Sequence, residues 1–144
     1  MSCYFRAIGD EFDVDSFLAG SSLLADGVFH RGEPALNRKK ERPFTGFVIQ
    51  ISEGFGRLSS HTAVASDFLR EHELELSRLS RYHGVTDMRL DFGYDRCPDA
   101  AIQCDYLPPE LIALAGSLRI GIELSLYPAL DPASETETGG TRAA

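Results

Sequence analysis

Residues 87 to 94 read DMRLDFGY, and apolar and polar side chains alternate along this whole stretch. Strict alternation is typical of a half-buried β-strand, because successive side chains of a strand point to opposite faces of the sheet. Met88, Leu90, Phe92 and Tyr94 are therefore predicted to face the core. A sheet with one buried and one solvated face is most often antiparallel, so the pattern favours a mostly antiparallel sheet with helices on one side.

Five other segments are predicted strands: CYFRAI (3–8), VFHRGEP (28–34), FTGFVIQISEG (44–54), AIQCDY (101–106) and IGIELSLY (120–127). The short link before residues 101–106 favours an antiparallel pair with residues 87–94. Cys104 alternates with Ile102 in that strand and is expected to be buried. The last strand is expected to place Ile120, Ile122, Leu124 and Leu126 on the core face.

Three helices are predicted between the strands. The first begins at Asp13, the main one runs from about Ser66 to Tyr82, and Pro108 opens the last. Leu74 is out of phase with the apolar stripe of the main helix, so that helix is either broken or covered on a second side. The predicted fold is an α+β single mostly antiparallel sheet with helices packed on one face, in the order β-α-β-β-α-β-β-α-β.

The length of 144 residues suits one domain with a substantial core. We expect residues 1–130 to form a single α+β domain. Residues 131–144, which include PASETETGGTRAA, have almost nothing to bury, so a disordered C-terminal tail is expected there.

The net charge of -8 argues against binding to nucleic acid or to an anionic membrane, since both require a basic surface. The same charge would suit a basic protein partner. The apolar runs are too short to span a bilayer, and no signal peptide is visible. Three cysteines without a CxxC pair favour a reducing compartment, so we expect a cytoplasmic protein.

The segment GDEFDVDSF (9–17) concentrates four carboxylates. A calcium loop needs oxygen ligands at alternating positions, but Phe17 follows Asp13 and Asp15 in that spacing and has no ligand atom. We therefore interpret Asp13 as a helix cap, with its side chain accepting the backbone N–H of Asp15 or Ser16. Asp10 and Glu11 have no such role and are kept as binding candidates.

The turn HRGE adds His30, Arg31 and Glu33 to the candidate binding residues. It could be an anion-binding turn with Arg31 as donor, or a surface turn in which Arg31 pairs with Glu33. The basic run NRKKERP (37–43) could likewise recognise phosphate or an acidic partner, or form a solvated loop.

Other chemistry receives little support from the sequence. His72 and His83 are eleven residues apart, which is about 16 Å along a helix and too far for one metal ion. The cysteines lack zinc-site spacing, and no G-x-S-x-G, phosphate-loop or dinucleotide fingerprint is present. We assign no catalytic residue, no metal and no cofactor.

Three stretches together resemble a bacterial family known as domain of unknown function 4279: YFRAIGDEFDVDSFL, VFHRGEP and LPPELIALAGSLRIGIELSLY. The resemblance covers about residues 3–127 and implies the same kind of small α+β fold. The family's turn often has a tryptophan where this chain has Phe29 or His30. Some small proteins of this general kind resemble immunity proteins that neutralise a toxin.

The leading hypothesis is a non-enzymatic binding protein of the bacterial cytoplasm, of an immunity or regulatory type, that contacts a protein partner. The alternative is a small enzyme with an acidic and histidine-bearing cleft around Asp10, Glu11 and His30. A third hypothesis is a structural module that self-associates through an exposed strand edge.

Overall fold

The computed structural model describes residues 1–35 and 39–128, which form a five-stranded sheet and four helices and confirm the α+β class. The elements are β1 (Ser2–Gly9), α1 (Val14–Ala19), β2 (Gly27–Phe29), β3 (Thr45–Glu53), α2 (Leu58–Glu71), α3 (Glu73–Leu79), β4 (Asp87–Asp95), α4 (Pro109–Ser117) and β5 (Gly121–Tyr127). The predicted tail, residues 131–144, lies outside the described residues.

The strand order in the sheet is β2-β3-β1-β4-β5. Strand β1 is central and pairs antiparallel with β3 and β4, so Phe5 lies opposite both Ile49 and Leu90. Strand β5 pairs parallel with β4. The sheet is therefore mostly antiparallel, as the alternating pattern predicts, with one parallel pair at an edge.

The prediction of a strand at residues 101–106 is wrong. These residues are irregular, Ile102 is 79% exposed, and Cys104 is exposed rather than buried. The place beside β4 belongs to β5, which reaches it in parallel by a crossover through α4, as parallel neighbours require. A short alternating run without a strand to pair with stays in solvent.

The hydrophobic core lies between the helices and one face of the sheet. Along β1, and along β4 as far as Phe92, every second residue is buried and the intervening ones are half-buried on the opposite face. Met88, Leu90, Phe92 and Tyr94 are all at most 9% exposed, which confirms their predicted direction. The rings of Phe17 and Phe47 stack with centroids 6.2 Å apart, and thereby join α1 to the sheet.

The predicted main helix is two helices. Helix α2 begins at Leu58, earlier than predicted, and the backbone leaves helical geometry at His72 (φ -106°, ψ 16°) before α3 starts. Leu74, just after the break, is 87% exposed. Leu74 is therefore out of phase with the apolar stripe because the helix is broken, and not because a second side of the helix is covered. Helix α3 ends at Leu79, before the predicted end at Tyr82, and Gly84 lies in the turn that follows, with a φ of +86° that glycine adopts without strain.

Strand β5 is less buried than predicted. Leu124 lies opposite Phe92 and so faces the core side, but it is 37% exposed, and Leu126 is 48% exposed. The predicted face of Leu124 is right, but its predicted burial is wrong. The side chain is partly exposed because β5 forms the sheet edge and has a neighbouring strand on one side alone.

Within residues 1–35 and 39–128, no helix has the length and apolar character needed to cross a membrane.

Candidate functional site

The acidic segment begins helix α1 as the capping interpretation predicts. The backbone N–H of Ser16 donates to Oδ1 of Asp13 over 3.1 Å. These hydrogen bonds to Ser16 lower the pKa of Asp13, because they stabilise the charged carboxylate. The hypothesis that Asp13 caps a helix is confirmed.

His30 is held between two carboxylates at the end of β2. Its Nε2 lies 2.7 Å from Oδ2 of Asp15, and its Nδ1 lies 3.0 Å from Oε1 of Glu33. Hydrogen bonds to Asp15 and then to Glu33 raise the pKa of His30, since both carboxylates favour the imidazolium. The site is on the surface, with 42% of the His30 side chain exposed.

Three of the other candidate binding residues, Asp10, Glu11 and Arg31, do not converge on His30. Glu11 faces His83, with Oε2 3.8 Å from Nε2, and Asp10 is exposed. Arg31 donates its backbone N–H to Oγ1 of Thr45. The predicted Arg31–Glu33 ion pair is wrong, because both carboxylate oxygens of Glu33 bind His30. The structure thus brings His30 together with Glu33 and with Asp15. Because Asp15 lies fifteen positions before His30, no local sequence pattern predicts that contact.

Among the described residues, no three His, Cys, Asp or Glu side chains are grouped so that they could hold a metal ion. The His30 cluster is therefore an ion-paired surface contact that joins β2 to α1.

A serine and a histidine meet beneath helix α2, a pair that the sequence does not reveal. Oγ of Ser52 lies 2.7 Å from Nδ1 of His61. His61 is 5% exposed, and burial lowers its pKa. This geometry satisfies a buried imidazole, and we assign it to the core.

The sheet face opposite the helices is occupied by a network of ion pairs. Arg89 binds Asp87 through Nε at 2.6 Å and Glu123 through Nη1 at 2.9 Å. Arg6 shares the same Glu123 oxygen at a longer distance of 3.4 Å. The register explains this network, since Arg6 lies opposite Arg89 and Arg89 opposite Gly121, two residues before Glu123. We call this surface the open face.

At the β2 end of the open face lies a cavity of about 500 Å³, which we call the arginine groove. Its described lining residues come from the sheet and from the connection between β2 and β3. They are Arg6, Ile8, Phe29, Ala35, Arg42, Pro43, Phe44 and Arg89. Three guanidinium groups and two aromatic rings therefore surround one groove, in a chain with a net charge of -8.

Two of these arginines have unused hydrogen-bond donors. Nε of Arg6 is buried and has no hydrogen-bond partner among the described residues. The guanidinium of Arg42 lies 4.8 Å over the ring of Phe29 and forms no ion pair with a described residue. It is near Glu33, whose pKa is lowered mainly by hydrogen bonds from His30 and to a smaller extent by the charge of Arg42. Arg42 comes from the basic run at 37–43, whereas the contribution of Arg6 and Arg89 depends on strand pairing and is not visible in the sequence.

A second cavity, of about 540 Å³, lies beside the start of α2. Its lining includes Arg57 together with the carboxylates Asp95 and Asp105, so its charges offset one another. Burial, followed by the effect of Asp105, raises the pKa of the adjacent Tyr94 to about 12. The charged residues in the described lining of the arginine groove are all arginines, so the groove is the better candidate of the two cavities for binding an anionic ligand.

Comparison of the chain with models of known families, with curated proteins and with solved structures found no match. The resemblance to domain of unknown function 4279 therefore stays a prediction. The fold and the site define a small α+β protein whose sheet has one helix-covered face and one open face.

Proposed function

We propose that this protein is a non-enzymatic binding protein that contacts a protein partner through the open face of its sheet. The observation that carries the proposal is the one-sided packing of the helices. Cys3, Phe5 and Ala7 of the central strand are fully buried, whereas Tyr4 and Arg6 between them are only half-buried. A central strand that remains accessible on one face provides a rigid surface for a partner.

The composition of the open face supports protein recognition. Arginine and aromatic residues are enriched at the energetically important positions of protein interfaces. Here Tyr4, Phe29 and Phe44 lie on or beside a surface that also presents Arg6 and Arg89. Because ion pairs with Glu123 hold Arg6 and Arg89, little conformational entropy of these two side chains would be lost on binding.

We infer an immunity-type or regulatory role, in line with the family resemblance. The net charge of -8 supports a basic protein as the partner. Cys3, Cys97 and Cys104 are free thiols, which supports the expected cytoplasmic location.

The alternative of a small enzyme has less support. It requires Asp10 or Glu11 to share a shielded cleft with His30, as general acid–base catalysis needs groups within hydrogen-bonding reach of a substrate. Glu11 instead faces His83, and the neighbours of His30 are Asp15 and Glu33. These groups neutralise one another on the surface.

Site-specific photo-crosslinking in cells of the source organism tests the proposal. A photoreactive residue at Gln50, exposed on the open face opposite Tyr4, should crosslink to one defined protein. The same residue at Ile112, which is 51% exposed on α4, is the control and should not. The purified partner should then bind the full chain in calorimetry, and Gln50→Trp should weaken binding while Ile112→Trp leaves it unchanged.

Four results would overturn the proposal, and the first is that Gln50 crosslinks to no protein. Crosslinking from Ile112 alone would place the interface on the helices. Equal crosslinking from both positions would indicate nonspecific contact. A crosslink from Gln50 to a second copy of the same chain would favour the self-association hypothesis instead.

A further inference from the structure

We propose that the arginine groove binds an acidic peptide segment of the partner, in which a carboxylate side chain is flanked by an aromatic or aliphatic one. This inference rests on the proposed function, because the peptide belongs to the partner that the open face contacts. The groove would thus bind an acidic segment, whereas the net charge of the whole protein predicts a basic partner.

The first support is the local charge. Arg6, Arg42 and Arg89 line the groove, and its described lining residues include no carboxylate. The network partners Asp87 and Glu123 lie beyond the lining, on the strands beside it. Because Arg6 and Arg89 are ion-paired with these carboxylates, the charge available to a ligand is mainly that of Arg42, for which the described residues provide no ion-pair partner.

The second support is the state of the three guanidinium groups. Arg89 is bound on two sides by Asp87 and Glu123 and is held in place. Nε of Arg6 is buried without a partner among the described residues and is closed to a ligand, so Arg6 can contact a ligand only through its terminal N–H groups, one of which donates to Glu123. The guanidinium of Arg42 is oriented by stacking on Phe29 and keeps its N–H donors available. A planar carboxylate can accept two parallel bonds from such a group.

The third support is the apolar part of the groove, which distinguishes a peptide from a small inorganic anion. Ile8, Phe29, Pro43 and Phe44 line it beside the arginines, and Phe44 is 37% exposed. Phosphate alone would leave these walls in contact with water. An aromatic or aliphatic side chain next to the carboxylate would bury them, and apolar burial is worth about 25 cal/mol per Å².

Fluorescence anisotropy with two labelled, amidated peptides tests this inference on the full chain. One peptide alternates phenylalanine and glutamate, and its twin has glutamine in place of glutamate. The acidic peptide should bind about tenfold or more tightly than its twin, as expected for a charge-assisted hydrogen-bond pair. Millimolar inorganic phosphate should fail to displace it.

Matched variants assign the binding to the groove. Arg42→Ala should weaken binding of the acidic peptide about tenfold. Lys40→Ala removes the same charge from the same connection but does not line the groove, so it should change binding less than about twofold, through long-range charge alone. Phe44→Ala should weaken the phenylalanine-containing peptide but not a glycine and glutamate peptide. Unchanged thermal unfolding of each variant shows that folding is intact.

Several results would overturn the inference. Equal affinity for the two peptides would exclude carboxylate recognition. Equal losses in Arg42→Ala and Lys40→Ala would indicate bulk charge, and displacement by phosphate would indicate a simple anion site. If the crosslinked partner binds Arg42→Ala normally, the groove assignment fails while the proposed function stands. If the acidic peptide binds as expected but Gln50 captures no partner, the proposed function fails and the groove chemistry stands.

Discussion

The Nε2 atom of His30 lies 2.7 Å from Oδ2 of Asp15, although the two residues are fifteen positions apart. The contact joins the end of strand β2 to the first turn of helix α1. Glu33 holds the other ring nitrogen at 3.0 Å. One imidazole therefore bridges two carboxylates and ties the turn after β2 to the rest of the fold.

This bridge predicts a dependence of stability on pH. The pKa of folded His30 is raised above 6.5, mainly by Asp15 and then by Glu33. Its contribution should be fully present below the unfolded pKa of about 6.5 and should be lost as pH rises through the folded pKa. The Tm difference between wild type and His30→Gln should thus shrink from about pH 5.5 to about pH 9.

Proton NMR of the His30 ring checks the cause directly. The measured pKa should exceed 6.5 in wild type and should fall in Asp15→Asn. A native pKa at or below the unfolded value, or one that Asp15→Asn leaves unchanged, would show that the bridge does not form in solution.

The cap at Asp13 predicts a specific pattern of substitutions. Asp13→Ala should lower the Tm by roughly 3–5 °C, the shift expected when a helix cap is lost from a domain of this size. Asp13→Asn and Asp13→Ser should restore most of it, because both side chains accept the N–H of Ser16. Thermal melts with calcium and with chelator should coincide. A calcium-dependent rise that disappears in Asp13→Ser would instead indicate a metal site.

Three leucines predict how burial translates into stability. Leu76 is fully buried, so Leu76→Ala should cost about 2–5 kcal/mol through lost burial and the remaining cavity. Leu74 is 87% exposed, and Leu74→Ala should change stability by less than about 0.5 kcal/mol. Leu124, at 37% exposed, should fall between them. Urea unfolding measures all three, and a Leu74→Ala cost above that of Leu76→Ala would mean that α3 is rotated.

Substitution by alanine is predicted to have opposite effects at two glycines, Gly84 and Gly116. At Gly84, φ is +86° and an added Cβ would clash with the backbone oxygen of Glu11, so Gly84→Ala should destabilise by about 1–3 kcal/mol. At Gly116, within α4, the same Cβ would meet no atom within 4 Å. Gly116→Ala should stabilise by about 0.5–1 kcal/mol, since alanine is the better helix former. Equal effects in urea unfolding would contradict the close approach at Gly84.

Local patterns in the sequence were sufficient for much of the fold. The alternation in DMRLDFGY predicted the buried face of β4, and Asp13 predicted the start of α1. The pairing of His30 with Glu33 is local as well, because the two are three positions apart, but the sequence favoured Arg31 as the partner of Glu33. Each depends on backbone geometry within a few residues, where side-chain type and spacing are informative.

Tertiary structure alone decided the rest. Residues 101–106 alternate like a strand, yet the place beside β4 belongs to β5, and an edge strand leaves Leu124 partly exposed. The arginine groove likewise depends on strand pairing, which places Arg6 of β1 opposite Arg89 of β4, while the β2–β3 connection brings Arg42 beside them. The physical reason is that sequence patterns report the period of one segment and the face that it buries. Strand order and register are determined by which segments bury the most apolar surface together, and that competition involves the whole chain.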